Sequence, residues 1–196
     1  YKLFLDALEK GCTTIVMEVS SHALSLERIA GLQLEIGAFT NLTEDHLDYH
    51  KTMEEYLKAK LKILNHMSLN SIFIVNQDDE ASQRFQKNFK NTKTIGMKKG
   101  DYQIKEYTFT PIKTNILLEH NNQTYKIETH LTGFFNVYNY LTALAVVHEY
   151  GFRIEEIISK TDKIYPPKGR CETYKVNDGY AVVDYAHTPD AVEKVI

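Results

Sequence analysis

Three groups of polar residues in this 196-residue chain each follow a short apolar run. Glu18, Ser20, Ser21 and His22 close the run Thr13 to Val19; Asn41, Asp45, His46, Asp48 and His50 follow Ile36 to Phe39. Asp184 and His187 follow Tyr180 to Val183. Carboxylates and imidazoles of this kind can hold Mg2+ or a transition metal. Open α/β sheets bind ligands outside the carboxyl ends of their strands, so the first two groups are expected to converge on one crevice. The competing expectation is that they are solvated loop residues and helix caps.

Other residues carry weaker signals. His46 and His50 form an H-x3-H pair, which on a helix would share a face and could hold zinc. No HExxH pattern accompanies it, and one pair is half a site. Lys58, Lys60 and Lys62 alternate along one segment, so periodicity does not separate them, and a lysine on a helix is usually solvated. Asn136 and Asn139 lie one helical turn apart after Gly133. One of them could cap a helix, or the two amides could read the edge of a base. The chain contains no GxxxxGK[ST] phosphate loop and no GxGxxG.

Positioning these residues requires alternating strands and helices. Thr13 to Val19, Ile36 to Phe39 and Ser71 to Val75 read as short buried strands. Thr52 to Leu64 reads as a helix, with Thr52 and Glu55 forming a capping box. Residues 1–10, 80–89, 136–150 and 154–160 also carry helical spacing. Lys93 to His130 is instead a series of short β-rich runs broken at Pro111 and Asn121-Asn122, expected to form antiparallel hairpins at the domain edge. The fold class implied is α/β, a mostly parallel central sheet flanked by helices with a small antiparallel β-rich region. Tyr165-Pro166-Pro167-Lys168-Gly169 is the clearest boundary, giving one domain over 1–165 and the start of another over 166–196.

Composition narrows the function classes. A hydrophobic share of 43% and a charged share of 25% fit a soluble globular protein. A formal net charge of −3 argues against a general nucleic-acid binder. Cys12 and Cys171 lack metal-binding spacing and read as free thiols of a reducing compartment. No run is long enough for membrane insertion. Residue 1 is Tyr rather than Met, so an upstream segment is expected.

The strings MEVSSHALSLERIAG and FTNLTEDHLDYHKTMEEYLKAK resemble the Mur ligase family, within it the tripeptide-synthetase branch. LTGFFNVYNYLTALA, PPKGRCE and VVDYAHTPDA agree in order and spacing. The likeness runs from residue 13 to the end, with no family motif in 92–128. Long motifs in the right order outweigh the reading of solvated loops.

The resemblance implies a P-loop NTPase-like central domain whose glycine-rich phosphate loop lies upstream, and an isolated chain that is inactive and of impaired stability. It implies ATP as co-substrate and Mg2+ as cofactor. The reaction would add meso-diaminopimelate or L-lysine to UDP-MurNAc-L-Ala-D-Glu through an acyl phosphate. A monomeric cytoplasmic enzyme of peptidoglycan synthesis is expected.

By position, Glu18 and His46 resemble Mg2+ ligands, and Lys60 the lysine that the family carbamylates to support Mg2+. Ser20 and Arg28 resemble contacts to the UDP-MurNAc-dipeptide. Asn136 and Asn139 resemble the adenine-side asparagines, and Arg170 and Asp184 the groups that close on ATP; His187 shares the last motif, with a loop role equally open. Leu26 stands where some relatives have Gln, and Phe135 where other Mur ligases have His. The DNPR pattern that reads the diamino acid does not occur in the chain, so both amines stay open. The alternatives are another ligase of the superfamily, of folylpolyglutamate or cyanophycin type, and a non-catalytic nucleotide-sugar binding module.

Overall fold

The computed structural model describes residues 2–187 and 189–195; Tyr1 and Ile196, which the terminal readings include, lie outside the described residues. The chain opens with two short helices, α1 (Lys2–Glu9) and α2 (Ser21–Ser25). Strand β1 (Leu34–Phe39) leads through α3 (Leu47–His50) and α4 (Met53–Leu61) to β2 (Met67–Asn76). Helix α5 (Ser82–Asn88) precedes β3 (Thr92–Gly96), β4 (Tyr102–Phe109), β5 (Thr114–His120) and β6 (Gln123–Thr129). Helices α6 (Phe134–Glu149) and α7 (Ile154–Ile158) complete the larger unit. A hairpin of β7 (Glu172–Val176) and β8 (Gly179–Val183) and helix α8 (Pro189–Val195) follow.

The six strands β1 to β6 form one sheet in sequential order. β1, β2, β3 and β4 pair in parallel, and β4, β5 and β6 pair antiparallel, so the sheet is mixed. The β-rich run is therefore not wholly antiparallel: β3 joins β2 and β4 in parallel. A five-residue link between β3 and β4 is far too short for a full crossover. It suffices because the two strands overlap only at Ile95–Tyr102 and Gly96–Gln103. Asp101 fixes that turn by accepting hydrogen bonds from Thr94 N (2.7 Å) and Oγ1 (2.8 Å).

β2 is buried on both faces, as a strand between two helical layers must be. Ile74 packs with Ile95, Leu118 and the α6 residues Val137, Leu141 and Leu144. Phe73 and Val75 point the other way, toward Leu57 of α4 and Phe85 of α5. Period-two alternation thus sorts one strand into two cores. Gly37 of β1 makes room for Phe73: a Cβ there would lie 2.6 Å from the Phe73 ring. That ring stacks on Phe85 at 5.3 Å and has no space to retreat. Gly37→Ala is expected to cost about 1–3 kcal/mol by overpacking, read as a lower denaturant midpoint at unchanged slope.

One expected strand does not form. Thr13 to Val19 carries no strand assignment, and Val16 is 91% exposed. A strand needs a neighbour to complete its ladder, and among the described residues β1 pairs only with β2. The segment is tied instead by a 2.7 Å hydrogen bond between Thr14 Oγ1 and the Tyr150 hydroxyl. The other expected strands and helices appear within a few residues of their predicted bounds. The capping box at the start of α4 forms in half: Thr52 Oγ1 accepts from Glu55 N at 3.2 Å. Among the described residues no helix is long and apolar enough to cross a membrane.

Candidate active site

Helix α4 separates the lysines that sequence spacing left equivalent. Lys58 is exposed and pairs with Glu54 at 3.7 Å. Lys60, two residues on, falls on the opposite side of the helix, the side of buried Tyr56 and Leu57. Its Nζ sits 4.8 Å from the Tyr56 ring centroid. Burial pulls its ammonium below the usual lysine value, while the negative charges of Asp45, Asp79 and Glu18 oppose that shift. A half-buried amine drawn toward its neutral form by burial, against the field of three carboxylates, is an unusual setting for a lysine.

The first two polar groups meet as expected, although only the second follows a strand. The His22 and His46 rings stand perpendicular at 5.0 Å. His50 Nε2 and Ser21 Oγ share a buried 2.8 Å hydrogen bond, and His50 stacks on Tyr56 at 5.0 Å. Burial first, then the neighbouring His22, His46 and Lys60, hold the His50 imidazole below its ordinary value. It is therefore a neutral packing and hydrogen-bonding group. His46 is not helical: it precedes α3 in the left-handed region, at φ 56°. Asp45 holds it there, accepting from His46 N at 2.7 Å and lying 3.6 Å from Nε2. Both rings of the H-x3-H pair lie against His22 (5.0 and 5.4 Å) and Tyr56 (5.9 and 5.0 Å). His46 Nε2 lies toward Asp45 while His50 Nε2 is engaged by Ser21, so the pair is not arranged as two zinc ligands on one helix face.

Ser20 caps α2, its Oγ accepting from Ala23 N at 3.1 Å. Glu18 is exposed on the irregular segment just before it, and Arg28 is exposed beyond α2. On the other side, Gly133 (φ 93°) rather than an asparagine occupies the cap of α6. Asn136 lies in the first turn, donating Nδ2–H to Thr132 O at 2.7 Å. Its Oδ1 accepts from Asn139 Nδ2 at 3.1 Å, so the two amides form one unit with Asn139 exposed. Between them, Tyr138 donates its hydroxyl to Asp78 Oδ2 at 2.8 Å, and burial followed by that bond pushes the phenol well above its ordinary value.

Arg170 and Asp184 flank the small hairpin. The Arg170 guanidinium lies 4.9 Å over the Tyr185 ring. Asp184 accepts from Cys171 N and Ala186 N, both at 2.7 Å, and so clamps the two ends of the hairpin together. Cys171 is buried, and burial with the Asp184 carboxylate pushes its thiol up to about 11, so it is an inert free thiol. His187 is exposed, its ring 4.9 Å from Tyr185.

Sequence reasoning passed over Asp78, Asp79, Tyr138, Tyr56 and the Ser21–His50 pair. The i,i+4 relation of Tyr56 to Lys60, and of Glu54 to Lys58, was the signal that could have chosen between the lysines.

Among the described residues no set of three or more His, Cys, Asp or Glu side chains is ready to enclose a metal. That donor set still suits Mg2+, which keeps several waters and takes one or two carboxylates plus substrate phosphates rather than a protein cage.

Comparison with known proteins agrees with this geometry. A model of the Mur ligase middle domain matches residues 1–147. The chain is 39% identical over 200 residues to UDP-N-acetylmuramoyl-L-alanyl-D-glutamate--2,6-diaminopimelate ligase 1 of Clostridium acetobutylicum, covering all of this chain and 41% of that protein. It is 38% identical over 204 residues to the corresponding ligase of Fusobacterium nucleatum, covering 40% of it. The chain thus spans about two fifths of the length of these relatives. A solved structure of a UDP-N-acetylmuramoyl-L-alanyl-D-glutamate--2,6-diaminopimelate ligase superposes with a TM-score of 0.82 at 30% identity, over 97% of this chain and 40% of that one. MurF ligase of Thermotoga maritima, in complex with ADP, shares the fold at a TM-score of 0.76 and 20% identity, over 90% of this chain and 41% of that one.

Proposed function

This chain belongs to the Mur ligase family, and from that premise we propose that it is the ATP-handling part of a ligase that adds 2,6-diaminopimelate to UDP-MurNAc-L-Ala-D-Glu. The observation that carries the reading is Lys60, turned inward with its Nζ 4.8 Å from the Tyr56 ring and within the field of Asp45, Asp79 and Glu18, while Lys58 faces solvent. The names of the relatives favour diaminopimelate over L-lysine as the amine. ATP and a nucleotide-linked sugar as substrates fit a cytoplasmic reaction. The unit over 1–165 would serve nucleotide and acceptor, and 166–196 would begin the domain that closes over them.

The γ-phosphoryl group of ATP passes to the D-glutamyl carboxylate, releasing ADP and leaving an acyl phosphate. The diamino acid's amine attacks the acyl carbon, loses a proton, and the phosphate leaves as the amide forms. Both steps bring anions together, so charge neutralisation is the main demand on the protein. Lys60, held toward its neutral form by burial, can attack CO2 through its lone pair and lose a proton to give a carbamate. This replaces the ammonium's three donors by one N–H and two anionic acceptor oxygens. The new anion would stand among Glu18, Asp45 and Asp79, an arrangement that needs a cation. Glu18, His46 and the carbamate would hold Mg2+, which supplies that neutralisation and screens the triphosphate. Asn136 and Asn139 would meet the adenine edge with Asn139's free face, Ser20 and Arg28 the UDP-MurNAc-dipeptide, and Arg170 and Asp184 the ATP as the second domain closes.

The test is phosphate release by the full-length protein with ATP, Mg2+ and UDP-MurNAc-L-Ala-D-Glu, with meso-diaminopimelate in one reaction and L-lysine in another. Release with diaminopimelate alone is expected. Release with L-lysine alone would reverse the choice of amine, and release with neither would overturn the ligase assignment.

A further inference from the structure

The turn after β2 reads Asn76-Gln77-Asp78-Asp79, and neither aspartate is accounted for by the reaction above. Their two carboxylates reach in opposite directions. Asp79 Oδ2 accepts from Leu42 N at 2.7 Å, in the loop that leads to Asp45 and His46. Asp79 Oδ1 accepts from Ala81 N at 2.9 Å, at the start of α5. Asp78 Oδ2 accepts from Met97 N at 2.6 Å and from the Tyr138 hydroxyl at 2.8 Å, on the helix of Asn136 and Asn139. Asn76, only 8% exposed, holds the turn itself: its Oδ1 accepts from Asp78 N at 3.1 Å. Gly96 completes the unit, since a Cβ there would come within 2.5 Å of Lys99 O and 3.1 Å of Asp78 Oδ2.

We infer that Asp78 and Asp79 are positioning residues that brace the two halves of the site independently. Asp79 sets the loop carrying Asp45 and His46, and adds its charge to the surroundings of Lys60. Asp78 sets the first turns of α6 through Tyr138, and with them the paired asparagines. The inference rests on the ligase reading for what each half does, and on geometry alone for the bracing.

The hydrogen-bond patterns make the two aspartates respond differently to one conservative change. Asp78 receives both donors on a single oxygen. An asparagine carbonyl has two lone pairs and can accept both. Asp79 receives one N–H on each oxygen. An asparagine there must turn its NH2 against one of those N–H groups and leave a part-buried donor without its acceptor. Asp78→Asn is therefore expected to be tolerated and Asp79→Asn is not.

The experiment is steady-state kinetics on the full-length protein with ATP varied, beside amide hydrogen exchange on the same samples. Asp79→Asn is expected to lower kcat about tenfold or more while the KM for ATP moves less than about twofold. Asp78→Ala and Tyr138→Phe should raise that KM about five- to tenfold with kcat within about twofold, and Asp78→Asn should stay within about twofold in both. Asp78→Asn as damaging as Asp78→Ala, or equal loss of kcat and KM in both series, would overturn the division of labour. If the wild-type protein turns over neither amine, the ligase reading fails and the exchange data decide the bracing. Faster exchange at Leu42 or Ala81 with Met97 unchanged in Asp79→Asn, and at Met97 with Leu42 and Ala81 unchanged in Asp78→Ala, supports it; coupled or absent changes overturn it.

Discussion

Lys60→Ala is expected to reduce turnover of the full-length ligase by roughly a thousandfold or more, with short carboxylic acids restoring part of it. The size follows from what is lost. Lys60 lies on the inward side of α4 within the field of Asp45, Asp79 and Glu18, and its carbamate would be the anion that completes Mg2+ binding. An added carboxylate can occupy the vacated volume beside Tyr56 and supply the same kind of oxygen. Lys58→Ala is the matched control. Lys58 is exposed, and its i,i+4 pair with Glu54 at 3.7 Å is of a class worth about 0.3–0.5 kcal/mol. Glu54 also keeps a second partner, since Arg84 donates to both of its oxygens at 3.2 Å. Lys58→Ala should therefore leave turnover within about twofold of wild type. Equal loss in the two variants, or full activity of Lys60→Ala, would remove the carbamate from the account.

Glu18→Gln carries the second large effect. It keeps the shape of the side chain and removes the charge that would face Mg2+. At limiting Mg2+ the variant is expected to turn over about a hundredfold more slowly, with much of the loss recovered as Mg2+ is raised. His46→Ala should show the same recovery with a smaller initial loss, because imidazole is a poorer donor than carboxylate to a hard cation. A loss that Mg2+ concentration does not touch would assign Glu18 a role other than ligation. The measurement is initial rate against Mg2+ at saturating ATP.

Much of this architecture is legible in the residues. The run Ser71 to Val75 is a strand because it is buried on both faces, and Thr52 begins a helix because its hydroxyl can satisfy Glu55 N. Local patterns of that kind need no knowledge of neighbours. Thr13 to Val19 was misread for the same reason: an apolar run is a strand only when another strand lies beside it, and its sequence does not carry that fact. The parallel pairing of β3 with β4 is a second case, decided by two overlapping residues at each strand end.

The site divides along a similar line. Residue types and their place after apolar runs marked Glu18, His46 and the histidine cluster. Lys60 emerged from the family motif, and its distinction from Lys58 became physical only with the two faces of α4 in view. Asp78 and Asp79 stayed hidden because their roles are hydrogen bonds to residues between 2 and 60 positions away in sequence. Two adjacent acids in a turn otherwise read as solvated.

The central claim is a carbamate on Lys60, and carbon-13 NMR of the full-length protein equilibrated with labelled bicarbonate tests it most directly. The account predicts a carbamate carbon signal in the wild-type protein that persists in Lys58→Ala and vanishes in Lys60→Ala. An active wild-type enzyme without that signal, or a signal that survives in Lys60→Ala, would contradict it.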